Sequence, residues 1–217
     1  MRGSGRSVVV LSTCAALAAY RPPLSAQSSA NLPTLTRSQI IAVASRLAEH
    51  RWVMRQANRY AKCPQRFTYV SDFPVNDTVV GVPYDWGGMD GPEAFDRRLG
   101  QGLAAGSHAR HGITTCTTGV DCSGLLSMAW GSTKKYGTIT IAEIGVTPRY
   151  NWYQDMKPGD ALVKPGSHVV LFAGYADDGR PIVYEASGSH YRVVRRTWDW
   201  ASLNGYYPLQ YRFLADP

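Results

Sequence analysis

Two residues of this chain have the right types and order for covalent hydrolysis, Cys122 and His168. A thiol attacks a carbonyl only as its thiolate. A free cysteine titrates near about 8.5, and a helix N-terminus with an imidazole close by lowers that by units. Cys122 follows the turn-like Thr118-Gly119-Val120-Asp121 and precedes Leu125, Leu126, Met128, Ala129 and Trp130. That apolar run predicts a helix of two to three turns starting at the cysteine. Gly124 leaves room for a second stretch of backbone beside its first turn. His168 opens an apolar strand that runs to Ala173, just after Pro165-Gly166. At a strand end an imidazole can face a cleft, accept the thiol proton and pass it to a leaving amine. A lone cysteine of this kind is more commonly a buried structural thiol, and a lone histidine a hydrogen-bonded strand end. The pairing, and its surroundings, favour chemistry.

The elements that must position this pair follow from periodicity. Ile40, Ile41, Ala44, Leu47 and Ala48, with Trp52 and Val53 continuing the stripe, predict a helix from Thr36 or Ser38 into the fifties, with Ser38 as candidate cap. Residues 65–83 mix strand and turn signals. Residues 89–118 lack periodicity and read as a long surface loop with a short helix around Pro92–Leu99; loops of that length are commonly functional. Beyond Gly131 the pattern turns to strands: 161–163, 168–173, 182–186, 192–194 and 207–213, with Pro158-Gly159-Asp160, Pro165-Gly166 and Asp177-Asp178-Gly179 as turns. Helices first and meandering strands later predict an α+β fold with an antiparallel sheet. Cys, then a helix, then His on a strand is the order of papain-type sites.

Composition narrows the class. With 217 residues, 44% hydrophobic and 18% charged, the chain can bury a core and is not a disordered one. Residues 1–26 read as a secretory signal: Arg2 and Arg6, an apolar stretch from Val8 to Ala19, then Leu24-Ser25-Ala26. A lipoprotein reading of Leu11-Ser12-Thr13-Cys14 is the weaker alternative. Removing this segment takes three arginines and no acid, which lowers the formal charge from +7 to +4. That balance suits a polyanionic surface such as a cell wall but is equally ordinary solubility charge, and it demands no nucleic-acid partner. No later run is long enough to span a bilayer. The domain reading is a signal over 1–26, a linker and helix over 27–75, and a catalytic domain over 76–217.

Four stretches stand in a fixed order: Pro83-Tyr84-Asp85-Trp86-Gly87-Gly88, Asp121-Cys122-Ser123-Gly124-Leu125, Lys157-Pro158-Gly159-Asp160-Ala161 and Ser167-His168-Val169-Val170-Leu171-Phe172-Ala173-Gly174. Over residues 80–190 the sequence resembles the NlpC-type (NlpC/p-sixty) family of cell-wall cysteine peptidases, which are papain-like. The resemblance implies the papain-like NlpC fold, with the catalytic Cys on a helix N-terminus packed on an antiparallel sheet. It assigns Cys122 as nucleophile, His168 as base and the following strand as the source of a third residue that orients the base. There Tyr184-Glu185-Ala186-Ser187 aligns, so Glu185 takes the place, with His190 as its competitor. A carboxylate can accept the second imidazole N–H and favour the imidazolium. Tyr84 maps near the nucleophile, to hold substrate or donate to an oxyanion; Asp121 serves the helix N-terminus and Ser123 lines the cleft. Trp86 reads as packing. The segment between Tyr84 and Cys122 is longer than the family pattern and is expected on the cleft rim, and Glu is not the commonest third residue.

The implied function is exported hydrolysis of amide bonds in peptidoglycan stem peptides, of the γ-D-glutamyl–diamino acid type, by a monomer without a cofactor. N-acetylmuramoyl-L-alanine amidase activity is the runner-up, and a catalytically silent wall-peptide binding module is the reading from another class. Cys63 and Cys116 are candidates for a disulfide that ties the long loop to the end of the first helix. Two free thiols, or a Cys116–Cys122 bridge that would remove the nucleophile, are the alternatives. His108 and His111 with Cys116 and Cys122 make a weak zinc set, and no metal is expected. The aromatic C-terminal segment, Trp198, Trp200, Tyr206, Tyr207 and Tyr211, reads as a packed sheet rather than a glycan platform.

Overall fold

Thr36 starts the first helix rather than Ser38. Its hydroxyl accepts the Gln39 N–H at 3.3 Å, and the Gln39 side chain accepts the Thr36 N–H at 2.8 Å. This reciprocal cap satisfies two donors that the helix leaves open. In a computed structural model, which describes residues 32–63, 69–148 and 153–217, the helix α1 spans Arg37–Glu49 and buries Ile40, Ala44 and Leu47. The expected signal and the lipoprotein box lie outside the described residues.

The helix ends sooner than its stripe predicted. His50 is extended (ψ 126°), and Arg51–Val53 form strand β1, paired antiparallel with β2 at Thr78–Val80. Burial now alternates: Trp52 is buried while Arg51 and Val53 are exposed. Trp52 and Val53 fit a helical stripe and a strand equally well. Pairing with β2 decides, together with the bond from the Trp52 indole N–H to the Gly81 carbonyl at 3.0 Å.

Residues 89–118 are not a surface loop throughout. Helix α2 spans Pro92–Gly100, with the proline at its first position where no N–H is needed. Strand β3, Ala104–Ala105, then pairs parallel with β4, Thr117–Thr118, and all four residues are buried. Cys63 and Cys116 form a disulfide with Cα atoms 5.2 Å apart. Among the described residues, no helix is long and apolar enough to cross a membrane.

Helix α3 spans Cys122–Ala129. The strands that follow are β5 (Gly145–Val146), β6 (Ala161–Lys164), β7 (His168–Tyr175), β8 (Pro181–Ser187), β9 (Arg192–Thr197) and β10 (Tyr207–Tyr211). They form one sheet in the order β5-β10-β6-β7-β8-β9, antiparallel throughout. Alternate side chains on a strand face opposite ways. Val169, Leu171, Tyr184, Ala186 and Val193 join α1 and α3 in one core, which also holds Cys122. Leu162, Val170, Phe172 and Val183 join Met156, Trp198 and Leu203 in a second core. His168 and Glu185 share the parity of the second set, on the sheet face opposite the core that holds Cys122.

Candidate active site

The position of Cys122 is fixed by the residue before it. Asp121 caps α3: one carboxylate oxygen accepts the Gly124 N–H at 2.7 Å and the Ser123 hydroxyl at 3.0 Å. The other accepts the Gly87 N–H at 2.9 Å and pairs with Lys135 at 2.9 Å. Lys135 also donates to the Ser123 hydroxyl oxygen at 3.0 Å. This corrects one expectation. Ser123 is 3% exposed and spent on the cap, so its side chain does not line a cleft, and the Asp121 carboxylate holds backbone rather than substrate. Lys135 had no signal in the sequence beyond its charge.

Gly87 and Gly88 bring the Tyr84–Gly88 turn onto this helix start. A Cβ on Gly124 would lie 2.2 Å from the Gly88 carbonyl oxygen, closer than real atoms approach. Because the obstacle is backbone, Gly124→Ala is expected to destabilise the protein by at least about 2 kcal/mol. It should also slow alkylation of Cys122; denaturation curves and thiol labelling on the same sample measure both. The turn is anchored from the other side by Asp85, whose carboxylate accepts Ser107 at 2.5 Å and Thr117 at 2.8 Å. Burial pushes the Asp85 carboxyl up to about 6, against those hydrogen bonds. Asp90 accepts Thr118 at 2.7 Å and pairs with Arg98. The long segment between Tyr84 and Cys122 therefore braces the nucleophile as well as extending past it.

His168 donates from Nε2 to the Glu185 Oε2 at 3.1 Å, since a carboxylate can only accept. That leaves Nδ1 for the side of Cys122, whose sulfur acts on the ring as a hydrogen-bonding and negatively charged neighbour and raises its pKa. Burial pushes the imidazole pKa down and is the largest single influence. The hydrogen bonds to Cys122 and Glu185, and the negative charge of both, outweigh it and hold the ring up at about 9. At neutral pH it is an imidazolium. Cys122 is 6% exposed and is not in a disulfide.

Glu185 is 2% exposed. Burial alone would push its carboxyl up. Hydrogen bonds from His168, Arg196 and Trp198, and the Arg196 charge, reverse that and bring it to about 2. The Arg196 Nε–H and the Trp198 indole N–H both donate to its Oε1, the latter at 3.2 Å. The Trp198 ring stacks near His168, centroids 6.4 Å apart and planes 18° from parallel. Sequence reasoning missed Arg196 and Trp198 because it ended the strand at Val194. Glu185 pairs with Val194 in the register, and the next residue on that face is Arg196. Continuing the alternation would have reached both.

The other candidates are placed as follows. Tyr84 is 9% exposed; its ring faces Gly188, and burial, then the charges of Cys122, Asp121 and Asp85, push its phenol pKa far up. It stays a neutral donor near the sulfur. His190 does not compete with Glu185, for its Nδ1 is bonded to Ser187 at 3.0 Å. Trp86 is 38% exposed, more than packing alone predicts. Cys116 is bonded to Cys63 and His108 pairs with Asp72 at 3.0 Å, which dissolves the proposed zinc set. Among the described residues no other group of three or more His, Cys, Asp or Glu is placed to hold a metal. Trp198 and Tyr211 are buried in the packed sheet, while Trp200 and Tyr207 are each 37% exposed.

No protein-family model matches the chain, and no curated protein matches it. Among solved structures, the peptidoglycan hydrolase RipB from Mycobacterium tuberculosis is similar over 84% of this chain and 68% of its own, at 20% identity and a TM-score of 0.41. At that level the chemistry of this chain must be argued from its own side chains.

Proposed function

We propose that this protein is an exported cysteine peptidase that hydrolyses an amide bond in peptidoglycan stem peptides, of the γ-D-glutamyl–diamino acid type. One observation carries the reading: the half-buried His168 imidazole bonds to the Glu185 carboxylate at 3.1 Å and has its pKa raised by Cys122, which stands at a helix N-terminus. The four motifs that resemble the NlpC family support a wall peptide as substrate. The Cys63–Cys116 disulfide suits a protein that works outside the reducing cytosol.

The steps follow from the geometry. The Cys122 thiolate attacks the amide carbon, and the carbonyl electron pair moves to oxygen. The Asp121 cap takes the Gly124 N–H, so the Cys122 N–H at the first helical position is available to that oxyanion, and the neutral Tyr84 phenol is a second donor. The C–N bond breaks as His168 gives its proton to the amine, leaving a thioester. Water then attacks, His168 takes the proton, and the thiolate departs from a carboxylic acid product. Glu185 holds the ring's orientation and its charge throughout.

Purified protein incubated with muropeptides, with products identified by mass spectrometry, tests this. A cut between D-glutamate and the diamino acid is the expected result. A cut at the muramoyl–L-alanine amide would instead make the protein an amidase, and no cut in any wall substrate would exclude the peptidase reading. The pH profile gives a second check. The leaving amine needs the imidazolium, which is present below its pKa and lost above it, so turnover should fall as pH rises through about 9. Iodoacetamide labelling of Cys122 needs only the thiolate and should not fall there.

A further inference from the structure

We infer that Arg196 is a positioning residue of this site: it pairs with the buried Glu185, keeps it ionised, and through Glu185 sustains the charge of His168. The inference rests on the reading above for its catalytic meaning, but not for its test. Glu185 is nearly inaccessible to water and sits on the sheet face of the second core, beside Trp198. A carboxylate there is costly unless it is paired and hydrogen-bonded. Three donors reach it. His168 holds Oε2, while Arg196 and Trp198 share Oε1.

Of the three, only Arg196 brings a charge that does not titrate in the working range. The His168 charge is itself conditional on Glu185 and Cys122, and Trp198 brings none. Arg196 is also held in place. Its guanidinium lies 5.4 Å over the Trp198 ring, which in turn stacks near His168. Arg196, Trp198, Glu185 and His168 thus form a continuous set running from the half-exposed guanidinium to the imidazole. Charges that face Glu185 from its neighbours are those of Arg196 on β9, His168 on β7 and, more remotely, the Cys122 thiol on α3; the Tyr206 phenol faces both anions and is pushed up to about 12 by burial and their charge.

Removing the guanidinium leaves burial as the dominant influence on Glu185. Its carboxyl then protonates at a higher pH. Once neutral it no longer supports the imidazolium, and the thiolate loses its counter-charge. The acid limb of Cys122 reactivity should therefore move up by about one pH unit or more in Arg196→Met. In Arg196→Lys, which keeps the charge, it should stay within about half a unit of the parent. Trp198→Phe, which keeps the ring and deletes the N–H, should move it up by less than Arg196→Met.

The experiment is iodoacetamide labelling of full-length protein against pH for the parent and the three variants, with circular dichroism at each pH to establish that the fold persists. A structural role alone would lower labelling at all pH values and leave the midpoint in place. An acid limb that stays put or moves down in folded Arg196→Met would overturn the inference, because Glu185 would then keep its charge on His168 and Trp198 alone. If Arg196→Met does not fold, Trp198→Phe and Arg196→Lys decide by the same midpoints. Labelling needs no substrate, so a protein inert towards muropeptides would defeat the proposed function without touching this result.

Discussion

Cys122→Ala is expected to reduce muropeptide hydrolysis by about 10⁴-fold or more, with no matching loss of fold. In the proposed mechanism the sulfur is the one atom that makes and breaks the covalent bond, and the oxyanion donors cannot replace it. The alanine removes a single buried atom from a helix that Asp121 continues to cap, so the melting temperature should stay near that of the parent. A second consequence separates this site from a silent binding module. Hydrogen bonding to Cys122 comes first among the influences that raise the His168 pKa, ahead of that to Glu185, and the charge of Cys122 adds to it. In the alanine variant that pKa should drop from about 9, as read by the imidazole proton shifts in NMR. An unchanged His168 titration, or equal product from both proteins, would mean that the thiol is not part of the working site.

Loss of the Cys63–Cys116 disulfide is expected to be the largest effect on stability. The bridge closes a loop of 53 residues, which in the chain-entropy account is worth about 4 kcal/mol. For a chain of this size that corresponds to a fall in melting temperature of roughly 8–16 °C in Cys63→Ser/Cys116→Ser. Reductant should bring the parent down by the same amount and leave the double variant unmoved. Identical melting of both proteins without reductant would refute the expectation. Activity should suffer well below the melting point as well. Thr117 and Thr118, next to Cys116, donate to Asp85 and Asp90, and the same strand runs on into the nucleophile's cap.

Much of this arrangement is legible in the residues themselves. The strands after Gly131 alternate, and their turns carry Gly, Pro and Asp, so the antiparallel sheet follows from local pattern. Cys122, His168 and Glu185 could each be singled out by type and order, and the structure pairs His168 with Glu185 at 3.1 Å. What escaped was set by partners distant in sequence. Trp52 fits a helix until β2 is there to pair with it. Residues 89–118 look like a loop because β3 and β4 are two residues long and the buried hydroxyls of Ser107, Thr117 and Thr118 donate to Asp85 and Asp90, which lie far before them in the sequence. Ser123 looked like a cleft residue because nothing in the sequence announces Lys135 as its neighbour. Arg196 and Trp198 escaped because the apolar run ends at Val194, whereas pairing with β8 carries β9 on to Thr197.

Because Cys122 lies in one core and His168 on the sheet face of the other, the distance from sulfur to ring measures how those layers are seated on each other. A slight slip or flattening of the sheet would alter that gap before any secondary structure melted. Under the proposed mechanism turnover should therefore be a sensitive gauge of interior fit, and on warming it should fail before the fold does.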